Sequence, residues 1–284
     1  MQPVRLPSAY AGERITFATI HGKEELAREP FRRVLGAHVS APEHLDTDQF
    51  GTFSGEIART LTPLAAARAK AQLGMQLDGT TLGLASEGSF SGGFGPVVEH
   101  AELLLFIDGQ RAMELIETAV EASPIPGGRV VSTPPEALRY AAAAGFPRQG
   151  LIVQALTRDG PVVRKNLNTA RALEDFVTLM LDQADPGTVR VEPDYRAHLA
   201  PSRAAVVRSL AERMAARLIT LCSDCGAPGF GRVRVERGLR CSACNLPTNE
   251  IAADVLECGA CASSVRMPRS ATAADPRWCD YCNP

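Results

Sequence analysis

All eight cysteines of this 284-residue chain lie in its last quarter, and each belongs to a Cys-x-x-Cys pair: Cys222/Cys225, Cys241/Cys244, Cys258/Cys261 and Cys279/Cys282. Two residues between cysteines let both thiolates grip one ion from a tight knuckle. Two knuckles then complete the tetrahedral four-thiolate set that zinc prefers, so eight ligands predict two metals. The spacers of 15 residues between the first two knuckles and 17 between the last two fall in the zinc-ribbon range. A disulfide framework is the competing reading, and it needs an oxidising compartment. The opening MQPVRLPSAYAGERITF has no apolar core long enough for a leader, so the expectation is a reducing compartment, the cytoplasm. Two pairings satisfy the ligand count: first knuckle with second and third with fourth, or first with third and second with fourth. The tandem order is the preferred one.

Four thiolates leave no open coordination position, so the two zinc ions are expected to be structural and any catalysis to lie elsewhere. Ribbons that bind nucleic acid need a positive surface. Residues 222–284 hold seven Arg and no Lys against seven Asp plus Glu, and each four-thiolate zinc site would add roughly two negative charges. Nucleic acid is therefore disfavoured, and a protein partner is the alternative use of the tail. The formal charge of −2 points away from polyanionic partners in general. There is no run of about 18 apolar residues of the kind that spans a membrane.

The first 220 residues read as an α/β domain with a mixed sheet, and residues 221–284 as the zinc-ribbon domain. RITFATI (14–20) alternates like a strand and runs through His21, Gly22 and Lys23 into the amphipathic helix KEELAREPFRRVLG. A lysine at a strand's carboxyl end, beside unbonded helix amides, suits an anion. A polar loop with Asp46 and Asp48, candidates for a divalent ion, precedes a helix capped by Thr62 and ending at Gly74. TTLGLA (80–85) is a second strand, expected to end in a glycine-rich loop (86–95) with Glu87 as its acidic residue for metal or base work. ELLLFI (102–107) reads as a buried strand, AMELIETAV (112–120) as a short helix, and LIVQAL and PVVRK as a hairpin. After a strand at 188–192, Arg196, His198 and Arg203 converge on a helix start, where a phosphate or carboxylate could be held. The helix that follows delivers the chain to Cys222.

The phrases ATIHGKE, DTDQFGTFSGEI, LASEGSF and VEPDYRAHLAPSR, with the tail CSDCGAPGF…GLRCSAC…CGAC…DPRWCDYCNP, resemble a bacterial domain family of unknown function. The order ITFATIHGKEE…TPLAAARAKAQLG…TTLGLASEG is also similar to pyrophosphatases that remove inosine or xanthosine triphosphate. That second resemblance implies phosphate contacts at Thr19, His21 and Lys23, a lysine at Lys70, and magnesium held by Glu87. His21 stands where those enzymes have Asn, and one Glu replaces their acidic pair. Together the residues and resemblances lead to one expectation, a zinc-bound protein handling a small anionic ligand. A magnesium-dependent nucleotide or phosphoester hydrolase would use Glu87 for the ion, Lys23, Arg196 and Arg203 for phosphate charge, and His21 or His198 for proton transfer. The alternative is a non-enzymatic ligand-sensing adaptor whose tail docks a protein.

Overall fold

The structure, a computed structural model, describes residues 8–50, 60–92, 98–185 and 187–284. Strand β1 (Arg14–Phe17) leads through a short loop into helix α1 (Glu24–Leu35) and strand β2 (His38–Ser40). Helix α2 (Pro63–Asp78) precedes three long strands, β3 (Leu82–Gly92), β4 (Val98–Asp108) and β5 (Met113–Ala122). They form one mixed sheet of order β2-β1-β3-β4-β5, in which β1 runs parallel to β2 and β3 and the other pairs are antiparallel.

The chain then builds a second sheet from β6 (Arg129–Val131), β7 (Leu151–Thr157), β8 (Gly160–Leu167) and β9 (Val189–Pro193), backed by α3 (Pro134–Ala144) and α4 (Ala170–Gln183). It returns through α5 (Pro201–Leu218) and ends in a three-stranded antiparallel ribbon of β10 (Gly231–Arg237), β11 (Ile251–Glu257) and β12 (Ser264–Pro268).

Strand alternation sorts the first sheet into three layers. Leu82 and Leu84 of β3, with Leu104 and Phe106 of β4, pack under α1 and α5; Ala85, Leu105 and Ile107 face Ala67 and Ala71 of α2. The local signals agree with the sequence at most ends. Thr62, Thr133 and Thr169 each accept an N-terminal amide of their helix, and Gly36 and Gly145 close α1 and α3 in the left-handed region.

Three expectations need correction. AMELIETAV forms β5: Met113 and Leu115 are buried while Glu114 is exposed, and the segment pairs with β4 from Asp108↔Met113 to Glu99↔Ala122. Its apolar residues also fit a helical period, but the unpaired edge of β4 and the β-branched Ile116, Thr118 and Val120 favour a strand. The glycine-rich stretch after residue 85 is no loop as far as Gly92, because β3 continues through it in register with β4; Gly93–Gly95 lie outside the described residues. Helix α2 passes Gly74, whose missing Cβ lets it sit against Ala18 and Thr16, and stops at Gly79. Asp46 is exposed, while the Asp48 side chain and residues 51–59 lie outside the described residues.

The ribbon is seated on the first sheet. Gly229 and Gly259 meet Leu115 and Met113 of β5, and the buried Arg217 of α5 donates to the carbonyls of Gly229 and Ile116 while facing Glu117. A Cβ at residue 259 would lie 2.6 Å from Leu115 Cδ2 and 2.9 Å from Met113 Cγ. Gly259→Ala should therefore cost about 1–3 kcal/mol in a urea titration. An unchanged midpoint would mean that the ribbon does not rest on β5 in solution.

Candidate functional site

The cysteines form two groups, Cys222, Cys225, Cys258 and Cys261, and Cys241, Cys244, Cys279 and Cys282, each with all four Sγ atoms within 4.8 Å of one another. The pairing is interleaved, which corrects the tandem expectation. Its cause is strand direction: β10 leaves the first knuckle and reaches the second, β11 returns to the third, and β12 sets out again towards the fourth. Gly231↔Glu257↔Ser264 align at one end of the ribbon and Arg237↔Ile251 near the other. Knuckles one and three therefore share one end, and two and four the other.

Sγ pairs across the knuckles are 3.9 and 3.7 Å apart in the first group and 3.9 and 3.6 Å in the second. A tetrahedron with metal–sulfur bonds of about 2.3 Å has edges of about 3.8 Å, so the donor geometry fits a four-thiolate ion. Gly226 and Asn245, each following a knuckle, take positive φ, and their amides return to the Cys222 and Cys241 carbonyls. The backbone amides of Cys225 and Asp224 draw the Cys222 thiol down to about 6, while the Cys225 and Cys261 thiols of the same group shift upward.

In the α/β part the sheet changes character along one face. The face that carries Leu82, Leu84, Leu104 and Phe106 under α1 and α5 continues as Ser86, Gly88 and Phe90 on β3 and His100 and Glu102 on β4. Side chains from three directions close over it: Lys23 from the β1–α1 loop, Arg203 from the first turn of α5, and Tyr195 from the end of β9. Lys23 donates to Ser86 O and Ser86 Oγ, both at 3.0 Å. Arg203 grips Glu102 with Nε (2.8 Å) and Nη2 (3.1 Å) and gives Nη1 to the Tyr195 carbonyl (2.7 Å). His100 Nε2 lies 3.1 Å from Glu102 Oε2, and Phe90 is stacked between His100 and Tyr195.

This is a buried floor: Arg203 is 1% exposed, Glu102 2%, Ser86 3% and Lys23 8%. Around it His21 and His198 hold their rings 5.3 Å apart, and Arg196 is locked onto Asp194 and Asn166.

The floor holds two cations against one carboxylate. Burial works against a charged Glu102, yet Arg203, His100 and Lys23 outweigh it and hold its carboxyl well below the usual range. Burial, helped by Arg203, brings Lys23 down to about 8 against the pull of Glu102 and Glu87. Among the described residues no carboxylate bonds the Lys23 ammonium. His21 falls to about 4 through burial and then the positive charge of Lys23, and His198 shifts the same way through burial and Arg196.

Lys23, Arg203, His21, His198 and Arg196 thus come together. Glu87 does not join them: it points to the α2 face, pairs with Lys70, and borders a cavity of about 170 Å³ with Pro63, Leu103 and Val120. Sequence reasoning missed Ser86, His100 and Glu102. The signal that could have found them is the parity of β3 and β4, since polar residues at 86, 100 and 102 continue a buried apolar face.

Residues 70–284 match a family described as Domain of unknown function (DUF6671). No curated protein matches the chain. No helix among the described residues is long and apolar enough to cross a membrane.

Two outcomes follow from this geometry. The His21 ring should titrate near 4 in an NMR pH series, and Lys23→Gln should move it up towards the ordinary value of about 6.5. Because the folded value lies below the unfolded one, the unfolded chain binds more protons in between. His21 therefore withdraws stability as pH falls from about 6.5 towards about 4. At the ribbon, Cys258→Ser should cost both one metal and stability of the α/β part, since that group abuts β5. Cys282→Ser should cost one metal and leave the main unfolding transition in place. Equal effects would remove the distinction between the two ends.

Proposed function

The chain belongs to that family of unknown function, and from the geometry of its α/β part we propose that it is a zinc-bound hydrolase of small phosphate esters or anhydrides, nucleotides among them. The observation that carries the reading is Lys23, a buried ammonium with no bonded carboxylate among the described residues, set beside Arg203 under a rim of two histidines. Burying a charge without an opposite partner is expensive, and an anionic ligand supplies that partner.

Phosphoryl transfer asks a protein mainly for positioning and charge neutralisation. Lys23 neutralises the phosphate. Arg203 adds to the positive field and holds Glu102 in place, and Arg196 steadies the rim. His21 and His198, uncharged near neutral pH, take the proton of the attacking water as its oxygen bonds phosphorus. The oxygen that this water displaces departs with the bonding pair.

Zinc is the ion we assign to both four-cysteine groups, on the strength of thiolate donors in tetrahedral spacing, and its part is to hold the ribbon. Magnesium is different. It binds through one or two carboxylates together with substrate phosphates, and here Glu87 is taken by Lys70, Glu102 by Arg203 and Asp194 by Arg196. The donor set does not fit a magnesium ion, and the protein's own cations do the neutralising.

A second reading has one observation in its favour. Trp278 and Tyr281 stand 61% and 73% exposed beside Cys279 and Cys282, as an adaptor's docking surface would require.

Phosphate release from p-nitrophenyl phosphate and a nucleotide panel, with zinc content measured alongside, tests the choice. Turnover is expected, little changed by added magnesium, and Lys23→Ala should lower kcat/KM by about 10²–10³. Folded protein with two zinc ions and no turnover on any substrate would end the hydrolase reading in favour of the adaptor.

A further inference from the structure

The chain has three lysines, Lys23, Lys70 and Lys165, among 30 basic residues, and Lys23 stands at this site. Everywhere else the positive charge is almost always arginine. The two residues differ in one respect that matters here: a guanidinium keeps its proton, whereas a buried ammonium can give it up. Lysine at position 23 therefore suggests a proton that moves.

We infer that Ser86 is the nucleophile of this site and Lys23 the base that activates it. The inference rests on the hydrolase reading and names its reacting group. The Lys23 nitrogen is 3.0 Å from Ser86 Oγ and 3.0 Å from the Ser86 carbonyl, so the serine's own backbone holds the base against its hydroxyl. Ser86 lies in the middle of β3, paired to Leu104 of β4 and two residues past Leu84, where the pairing of β3 with β1 ends. The charged and titratable groups that act on Lys23 are Arg203 of α5 and Glu102 of β4 on its own face, His21 beside it, and Glu87 of β3 and Lys70 of α2 from across the sheet. Burial and Arg203 dominate that set, and with Lys23 at about 8 an appreciable share is free amine at neutral to mildly alkaline pH.

In the first step the Lys23 amine takes the Ser86 hydroxyl proton, Oγ bonds phosphorus, and the leaving oxygen departs with its bonding pair and takes a proton from solvent. Lys23, now an ammonium, faces the phosphoserine it has helped to form. In the second step water attacks phosphorus and gives its proton through a rim histidine to solvent. The bond from phosphorus to Oγ breaks, and Lys23 returns its proton to Ser86. The sum is one water consumed and one phosphate released.

The test needs no turnover. The full, zinc-loaded chain is treated with diisopropyl fluorophosphate, and the modified residue and its rate are read by peptide mass spectrometry. Ser86 should be labelled, at a rate that rises through pH of about 8. Lys23→Arg, which keeps the charge but cannot release the proton, should slow labelling by about a hundredfold. No label on Ser86, a rate flat across that pH range, or a Lys23→Arg protein labelled as fast as wild type would each overturn the inference. If Lys23→Arg does not fold, the wild-type pH profile decides alone. Labelling of Ser86 in a protein that turns over none of the phosphate panel would retain the activated serine and discard the phosphohydrolase.

Discussion

The pair between Arg203 and Glu102 is the constraint on which the α/β part depends. Both residues are all but fully buried, and they join the first turn of α5 to the middle of β4 across 101 positions of sequence. Taking either partner away leaves a bare charge in the interior, a loss of about 3–5 kcal/mol. The surroundings are shaped to avoid that. Gly88 has no side chain because the Glu102 carboxylate and the Arg203 guanidinium fill its place, and the third arm of the guanidinium ends on the Tyr195 carbonyl, which ties in the end of the second sheet. The Phe90 ring, closed between His100 and Tyr195, seals the same seam with apolar contact. Lys23 can be buried here because Glu102 lies within its field, although their charges do not cancel once Arg203 is counted.

The ribbon follows from a different constraint. Spacers of 15, 13 and 17 residues separate successive knuckles, and a seven-residue strand covers about 23 Å. Each spacer carries the chain from one end of the ribbon to the other, so antiparallel pairing brings odd knuckles together and even knuckles together. Each group of four cysteines then joins segments more than 30 residues apart, such as Cys225 to Cys258, and each closes a loop containing one knuckle of the other group. Tandem pairing would have made two independent modules. The interleaved arrangement makes one, in which neither group of cysteines closes without the strands that serve the other.

This topology also shows what could be read from the residues alone. The cysteine knuckles, the helix caps and the convergence of Lys23, Arg203 and the two histidines were legible because they depend on local spacing and chemical type. The pairing of knuckles was not, since both solutions satisfy the same count and only strand direction separates them. Met113 to Val120 misled for a related reason. Its apolar residues fit a helical period as well as a strand's, and the deciding fact was the open edge of β4, which is set by sequence elsewhere. Glu87 was assigned by its place at a strand end, but β3 runs on to Gly92. A residue in mid-strand takes its face from parity, and parity turns Glu87 towards Lys70 and Ser86 towards Lys23.

Helix α5 connects the two constraints. Arg203 lies in its first turn and Arg217 in its last, 14 residues and about 21 Å apart. At the far end the Arg217 guanidinium is satisfied by the Gly229 carbonyl of the ribbon as well as by β5. Gly229 lies between the first knuckle and β10, where its position depends on the group of Cys222, Cys225, Cys258 and Cys261. Breaking up that group would leave a buried guanidinium short of an acceptor, and the cost falls on the helix that also presents Arg203 to Glu102. The two ends need no change of shape to influence each other. They share one rigid element, each end of which is held by an arginine that is stable only while its own acceptors stay in place.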